Sequence, residues 1–217
     1  MFVGHYGVSF AAKRCDASVP LWVLFVAVQL LDVAWAPCVL LGIEKVRIVP
    51  GITASNPLDL YYMPYTHSLL AAILWSAGAF VLYRLAAPHS RKAAALVVAA
   101  AMFSHWLLDL VVHRPDLPLY DDAVKVGLGL WNRPVLAFGL EAVLLFGGMW
   151  LYFRTGAARR TATAAFGLIL LAVQASSVLG PPPPSDKAAA ATALVAYVVF
   201  AVVIGLLERR PRSAAPA

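Results

Sequence analysis

Long apolar blocks alternate with short polar stretches along this chain of 217 residues. A helix needs about 20 mainly apolar residues to cross the roughly 30 Å of hydrocarbon in a bilayer. Proline, glycine and charged residues mark the breaks between the blocks, as they do at helix ends. We predict a spanning helix over each of six blocks: 21–42, 67–87, 93–113, 134–153, 163–179 and 188–207. The pattern therefore predicts an all-α, polytopic membrane bundle of about six transmembrane helices, with residues 1–217 forming a single integral membrane domain.

The composition supports this class. Hydrophobic residues make up 62% of the chain and charged residues only 13%, whereas a soluble domain is closer to half apolar and a quarter charged. Disordered chains are poor in apolar residues, so disorder is excluded as well. We expect the lipid bilayer to be the main partner, and we do not interpret the net charge of +6 as affinity for nucleic acid. The oligomeric state is left open.

The distribution of positive charge predicts an orientation, because Lys and Arg collect in loops that stay in the cytoplasm. With a cytoplasmic N-terminus, 11 of the 17 Lys and Arg residues fall on the cytoplasmic side and 6 on the other. We therefore expect both termini to be cytoplasmic. The two long connections, 44–66 and 114–133, then lie on the outer side, and long connections of this kind often carry function.

Several ionisable side chains interrupt the predicted spans. Each costs roughly 2.5–3.5 kcal/mol to insert even on the mildest scale, so each is a candidate for function. These residues are Asp32, His67, His105, Asp109, His113 and Glu141.

Two of them share one helix face. His105 and Asp109 are four residues apart, a spacing that makes side chains neighbours on a helix. Imidazole nitrogen and carboxylate oxygen are ligands that suit zinc, manganese or iron. The same spacing is compatible with a plain hydrogen-bonded helix contact, so the pair gains weight only if other helices supply further donors.

Four sequence elements together carry a family resemblance: GHYGVSFAAKR near the start, QLLD at the end of an apolar run, YTHSLLAAILW, and FSHWLLDL. They resemble the motifs of the bacterial inner-membrane metal-dependent hydrolases, over the chain from its start to about Tyr120. The resemblance implies a bacterial inner-membrane protein with a divalent metal ion. By position it implies these metal ligands: His5, Asp32, His67, His105 and Asp109.

A metal centre of this kind suggests a reaction. A divalent ion, zinc in the first instance with manganese or iron as alternatives, polarises an ester or phosphoryl oxygen and lowers the pKa of its water. We expect His113 and Glu141 to transfer protons as catalytic groups. Three basic residues of the outer connection are candidates for binding an anionic head group: Arg114, Lys125 and Arg133. The hypothesis is hydrolysis of a phosphoester in a lipid or lipid-linked substrate near the outer leaflet.

Two alternatives stay open. The same histidines and carboxylates would serve a transporter coupled to protons or metal ions, which needs a polar path through both leaflets. They would also serve a non-catalytic membrane partner whose polar cluster holds the bundle together. Positive-inside counting places His5 on the cytoplasmic side, so it joins the other candidates only if its segment re-enters the membrane or if the predicted topology is wrong. The acidic residues of the outer connections are expected to be solvated: Asp59, Asp116, Asp121 and Asp122.

Overall fold

A computed structural model describes residues 1–156 and 159–208. Within these residues the chain forms eight α-helices. In chain order they are α1 (Val3–Cys15), α2 (Leu21–Val28), α3 (Leu30–Leu40), α4 (Leu69–Ala86), α5 (Lys92–Val112), α6 (Pro134–Phe153), α7 (Arg160–Leu179) and α8 (Asp186–Glu208).

The predicted all-α membrane bundle is confirmed. The five helices from α4 to α8 are long and apolar enough to cross a bilayer, and each coincides with a predicted span to within three residues. The first predicted span is broken: α2 and α3 meet at Gln29 with a bend of 52°. Counting this pair as one span gives six. Broken spans in membranes leave unpaired main-chain groups, which must find partners inside the protein.

The segment that contains His5 forms a helix that the hydropathy pattern did not predict. Helix α1 has 13 residues, about 20 Å, which is too short to span a bilayer. It packs inside the bundle between α6, α2 and α5, and Val3, Tyr6 and Phe10 are fully buried. This burial places His5 among the spanning helices rather than at the cytoplasmic surface.

Glycines let α1 and α6 approach closely. A Cβ atom at Gly7 would overlap the main chain of Leu144, and one at Gly148 would overlap the main chain of Gly7. Small residues at crossing points allow membrane helices to pack backbone against backbone. The position of α1, and with it that of His5, therefore depends on these two glycines.

The two long connections form β-hairpins rather than open loops. Strand β1 (Lys45–Ile48) pairs antiparallel with β2 (Leu58–Tyr62). Strand β3 (Leu117–Tyr120) pairs antiparallel with β4 (Ala123–Val126). Both hairpins and the proline-rich connection between α7 and α8 lie at one end of the bundle, which we call the hairpin end. The other end carries the connections from α1 to α2, α4 to α5 and α6 to α7.

The crossing of α1 and α6 predicts the effect of a small substitution. Gly148→Ala places a methyl group against the Gly7 carbonyl, where no side chain can move aside. We expect overpacking to lower the free energy of unfolding by about 1–3 kcal/mol. A thermal melt of the purified protein in detergent measures the change.

The adjacent residue provides a matched control. A Cβ atom at Gly147 would meet no atom within 4 Å. Gly147→Ala should leave the melting temperature unchanged or raise it, since alanine favours a helix over glycine by about 1 kcal/mol. Equal melting temperatures for the two variants would contradict the close crossing.

Candidate metal centre

Five residues predicted as metal ligands come together inside the bundle. They come from α1, from the α3 side of the broken span, from the second residue before the start of α4, and from the last turns of α5. His105 lies seven residues before the end of α5, about 10 Å below the hairpin end. The five form two overlapping groups that share His105: one contains His5, His105 and Asp109, and the other contains Asp32, His67 and His105.

The carboxylates and imidazoles of four of these residues face one another. Asp109 Oδ2 lies 3.1 Å from His105 Nε2 and 3.9 Å from His67 Nε2. Asp32 Oδ1 lies 3.3 Å from His67 Nε2 and 3.7 Å from His105 Nε2. Donor atoms from three parts of the chain thus surround one point. The other oxygen of Asp32 accepts a hydrogen bond of 2.8 Å from the Tyr197 hydroxyl, which fixes the carboxylate.

The break between α2 and α3 orients His105. As the last residue of α2, Val28 has a carbonyl group without a regular helical partner. His105 Nδ1 lies 2.7 Å from this oxygen. A carbonyl only accepts hydrogen bonds, so Nδ1 carries a proton, and in the neutral ring Nε2 presents its lone pair to the carboxylates. His105 Nε2 is buried and has no hydrogen-bond partner.

A hydroxyl and a carboxylate orient His67 in the same sense. Thr66 Oγ1 donates its proton to Glu44 Oε2 at 2.6 Å and lies 2.7 Å from His67 Nδ1. The hydroxyl has a single proton, so it accepts the bond from Nδ1 and leaves the Nε2 lone pair free. The next residue, Ser68, caps α4 by accepting from the Ala71 amide. The THS sequence therefore both orients the histidine and starts the helix.

His113 follows the same pattern at the end of α5. Its Nδ1 lies 2.8 Å from Asp116 Oδ1, and its Nε2 lies 3.6 Å from Asp109 Oδ2. An ionised carboxylate only accepts, so His113 also presents its Nε2 lone pair to the centre. Histidines that bind metals are usually held in this way, with the second ring nitrogen donating to a carbonyl, carboxylate or water.

His5 lies on the far side of His105. The two rings stack in parallel with centroids 3.9 Å apart and an angle of 5° between planes. His5 Nε2 lies 3.3 Å from Asp109 Oδ1, the oxygen that also contacts the main-chain nitrogen of Met1. Neither ring nitrogen of His5 has a hydrogen-bond partner, although the side chain is fully buried.

Each of the two groups of three residues could hold a metal ion. When four ligand atoms surround an ion tetrahedrally at about 2.0–2.1 Å from it, they are about 3.4 Å from one another. The four donor separations around Asp32, His67, His105 and Asp109 range from 3.1 to 3.9 Å. Buried imidazole nitrogens without partners are costly, and coordination would satisfy them.

Glu141 lies beside the centre but is occupied by other contacts. Its Oε2 accepts from the main-chain amides of Phe2 at 2.8 Å and Gly4 at 3.2 Å, at the start of α1. Its Oε1 accepts from Gln174 Nε2 at 3.0 Å. These bonds hold α1 against α6 and α7. Its predicted role in proton transfer stays a prediction, while the contacts support a role in positioning.

The three basic residues predicted to bind substrate are not at the centre. Arg114 pairs with Asp59 and Asp116, and Lys125 donates to the Tyr61 carbonyl. Arg133 is exposed at the start of α6. The expectation that all four acidic residues of these connections are solvated is wrong for Asp59 and Asp116, which are 5% and 4% exposed because the histidine and arginine partners cover them.

A cavity of about 420 Å³ connects the hairpin end with the centre. Its lining includes five ionisable residues of the centre and its surroundings: Asp32, His67, Asp109, His113 and Glu141. Most of the remaining lining is apolar, and among the described residues that line it there is no Lys or Arg. The polar cluster is therefore the floor of a largely apolar cavity.

Sequence reasoning missed three residues that organise this centre: Glu44, Thr66 and Tyr197. Thr66 is next to His67 in the sequence, and this adjacency indicates that its hydroxyl can contact the ring. Glu44 and Tyr197 are 22 and 165 residues from the groups they contact, so no local spacing indicates them. Comparisons with protein-family models, curated proteins and solved structures find no match to this chain.

The centre predicts metal binding that depends on His105. We expect purified wild-type protein to retain a divalent metal ion, and His105→Ala to lose it, because both candidate groups share this side chain. Elemental analysis after gel filtration measures the metal content. His89→Ala is the matched control, since His89 is exposed in the connection between α4 and α5. Equal metal content in the His105 and His89 variants would contradict the assignment.

The contacts of Glu44 predict that its substitution weakens metal binding less than His105→Ala does. Glu44→Gln disturbs the Thr66 hydroxyl and hence the His67 ring, while all candidate ligands remain. We expect metal affinity to fall by about 10- to 100-fold with unchanged content at saturating metal, as is typical for such supporting residues. Titration against a chromophoric chelator measures it. Unchanged affinity would argue against His67 as a ligand.

Proposed function

We propose that this protein is a membrane-embedded, metal-dependent hydrolase that cleaves an ester bond in a lipid or lipid-linked substrate. The observation that carries the proposal is the convergence of oriented histidine nitrogens and two carboxylates at the floor of an apolar cavity. We propose zinc as the ion, with manganese and iron as alternatives that the same donors suit. When bound, such an ion polarises the substrate oxygen and makes water a better nucleophile.

Different residues would bind the ion and orient its ligands. His67, His105, Asp32 and Asp109 hold the ion, and His5 stacks on His105 and limits movement of its ring. Val28, Thr66 and Tyr197 fix the orientation of three of these groups. Because these partners are in place before substrate arrives, the geometry costs no reorganisation during reaction.

His113 is the proposed proton acceptor. It lines the cavity, Asp116 holds its Nδ1–H, and its Nε2 faces the centre. In this tautomer Nε2 takes a proton from water and later returns it to the leaving group, while the Asp116 carboxylate stabilises the imidazolium. Asp116 is a positioning residue in this scheme.

The substrate follows from where the centre lies. The centre is about 10 Å below the end of α5, within the bundle, so it suits a bond that lipid carries to that depth. The sequence favours a phosphoester. Since no Lys or Arg lines the cavity in the described part of the chain, the ion itself would have to counter a phosphate charge.

The packing below the centre favours hydrolysis over transport. Between the centre and the end opposite the hairpins, large apolar side chains are buried in contact with one another: Tyr6, Phe10, Phe25, Phe166 and Phe200. A transporter needs a polar path to both sides in turn. Location in a bacterial inner membrane, with the hairpin end outside and the end of α8 on the cytoplasmic side, is part of the proposal. The expected cytoplasmic N-terminus is not part of it, because Met1 contacts Asp109 inside the bundle.

An activity assay tests the proposal. Purified protein loaded with zinc or manganese should hydrolyse at least one of two chromogenic probes, a nitrophenyl phosphodiester or a nitrophenyl ester of a medium-chain fatty acid. His113→Gln should lower kcat by about 10²- to 10⁴-fold, because a general base is lost, while metal content is retained.

His89→Gln serves as the control for this series and should retain full activity. The proposal fails if the metal-loaded wild type releases nitrophenol from both probes no faster than His105→Ala does. Selective cleavage of the carboxylic ester would redirect the substrate from phosphoesters to carboxylic esters.

A further inference from the structure

Helices α7 and α8 are joined at the hairpin end by the proline-rich connection 180–185. At the opposite end they are in contact, with the rings of Phe166 and Phe200 6.0 Å apart. Nearer the hairpin end, both helices line the cavity instead of packing together. The lining residues include Val173, Ser177 and Val178 from α7, and Ala189, Thr192 and Ala193 from α8.

The cleft between these helices is open on its side. Ser177 and Thr192 line the cavity and are also exposed, although both lie within candidate membrane spans. Thr192 is six residues past the start of α8, about 9 Å along the helix. An opening between two spanning helices at this depth faces the hydrocarbon of the bilayer.

Alanines give the cleft its width. Four cavity-lining positions of α8 are alanine: Ala188, Ala189, Ala193 and Ala196. A helix of about 10 Å diameter would fill a volume of this size within about one turn. The cavity of about 420 Å³ therefore suits a flexible chain better than a helix of another protein.

We infer that the cleft between α7 and α8 admits the hydrocarbon chain of a bilayer amphiphile laterally, so that its head group lies at the His/Asp cluster. The inference rests on the proposed function for the chemistry of the head group, but not for the binding of the chain. The apolar wall and the polar floor belong to one continuous cavity, which matches the two parts of one amphiphile.

Photolabelling in lipid vesicles tests this inference. Full-length protein is reconstituted in phosphatidylcholine vesicles that contain a small fraction of a monoacylglycerol with a diazirine in its acyl chain. After irradiation, mass spectrometry locates the cross-links. We expect labelling of Val173 and Ala189 above that of Val81 and Leu85 of α4, which are exposed and lie outside the cavity. An excess of unlabelled monoacylglycerol should abolish this surplus, because a cavity saturates and a lipid-facing surface does not.

Paired variants of α8 sharpen the test. Ala193→Trp fills the cleft and should reduce labelling of Val173 and Ala189 to the level of α4. Val195→Trp adds the same ring at a position that is 63% exposed and outside the cavity lining, and should leave the labelling unchanged. If Ala193→Trp fails to fold, saturation of labelling in the wild type decides the question alone.

Three results would overturn the inference: cavity labelling no higher than on α4, labelling that does not saturate, or a disulfide-linked dimer of Ala193→Cys in vesicles when Cys15 and Cys38 are both replaced by serine. The last result would assign the cleft to a second copy of the chain. Labelling that persists in His105→Ala, which lacks the metal, supports chain binding even if the hydrolase proposal fails. Loss of activity with labelling intact would therefore count against the proposed function alone.

Discussion

Asp109 is the group on which this interior depends. Four histidine rings place Nε2 within 3.9 Å of its two oxygens, at 3.3 Å for His5, 3.9 Å for His67, 3.1 Å for His105 and 3.6 Å for His113. An ionised carboxylate that is only 2% exposed in an apolar bundle needs positive charge nearby, because removal from water costs several kcal/mol. The Met1 nitrogen, protons on the imidazoles and a metal ion can each supply that charge. Three of the rings place Nδ1 against an acceptor, so their neutral forms leave Nε2 free to bind an ion.

The surrounding fold meets the requirements of this cluster. The break at Gln29 frees the Val28 carbonyl for His105, which an unbroken span would not do. The close crossing of α1 and α6 brings His5 to the same place, and Glu141 fixes the start of α1 by accepting its amides. Features that weaken a simple spanning bundle, such as a bend, a short buried helix and a buried glutamate, all serve the same centre.

Much of this arrangement was predictable from local sequence. The spacing of His105 and Asp109 and the apolar blocks indicated the helix face and the spans. Helix α1 was not predicted because it is too short for a hydropathy signal and has charged residues at its end. The supporting contacts escaped prediction because they join distant residues: Glu44 reaches Thr66 through a hairpin, and Tyr197 reaches Asp32 from the last helix. Asp116 was expected to be solvated, although its position three residues after His113 is compatible with the contact that the structure shows.

The cavity brings the polar cluster and the apolar cleft between α7 and α8 into one site. Its floor offers lone pairs and carboxylates, whereas its walls offer alanines and other apolar side chains. Such a combination is typical of sites that bind a small molecule by an apolar part and orient it by a few polar groups. We propose that the floor of this cavity binds a metal ion. Anomalous scattering from crystals grown with zinc or manganese would detect that ion directly. We expect a peak at about 2.0–2.2 Å from His67 Nε2, His105 Nε2, Asp32 Oδ1 and Asp109 Oδ2. A cluster without such a peak, closed by direct hydrogen bonds between the imidazoles and the carboxylates, would contradict it.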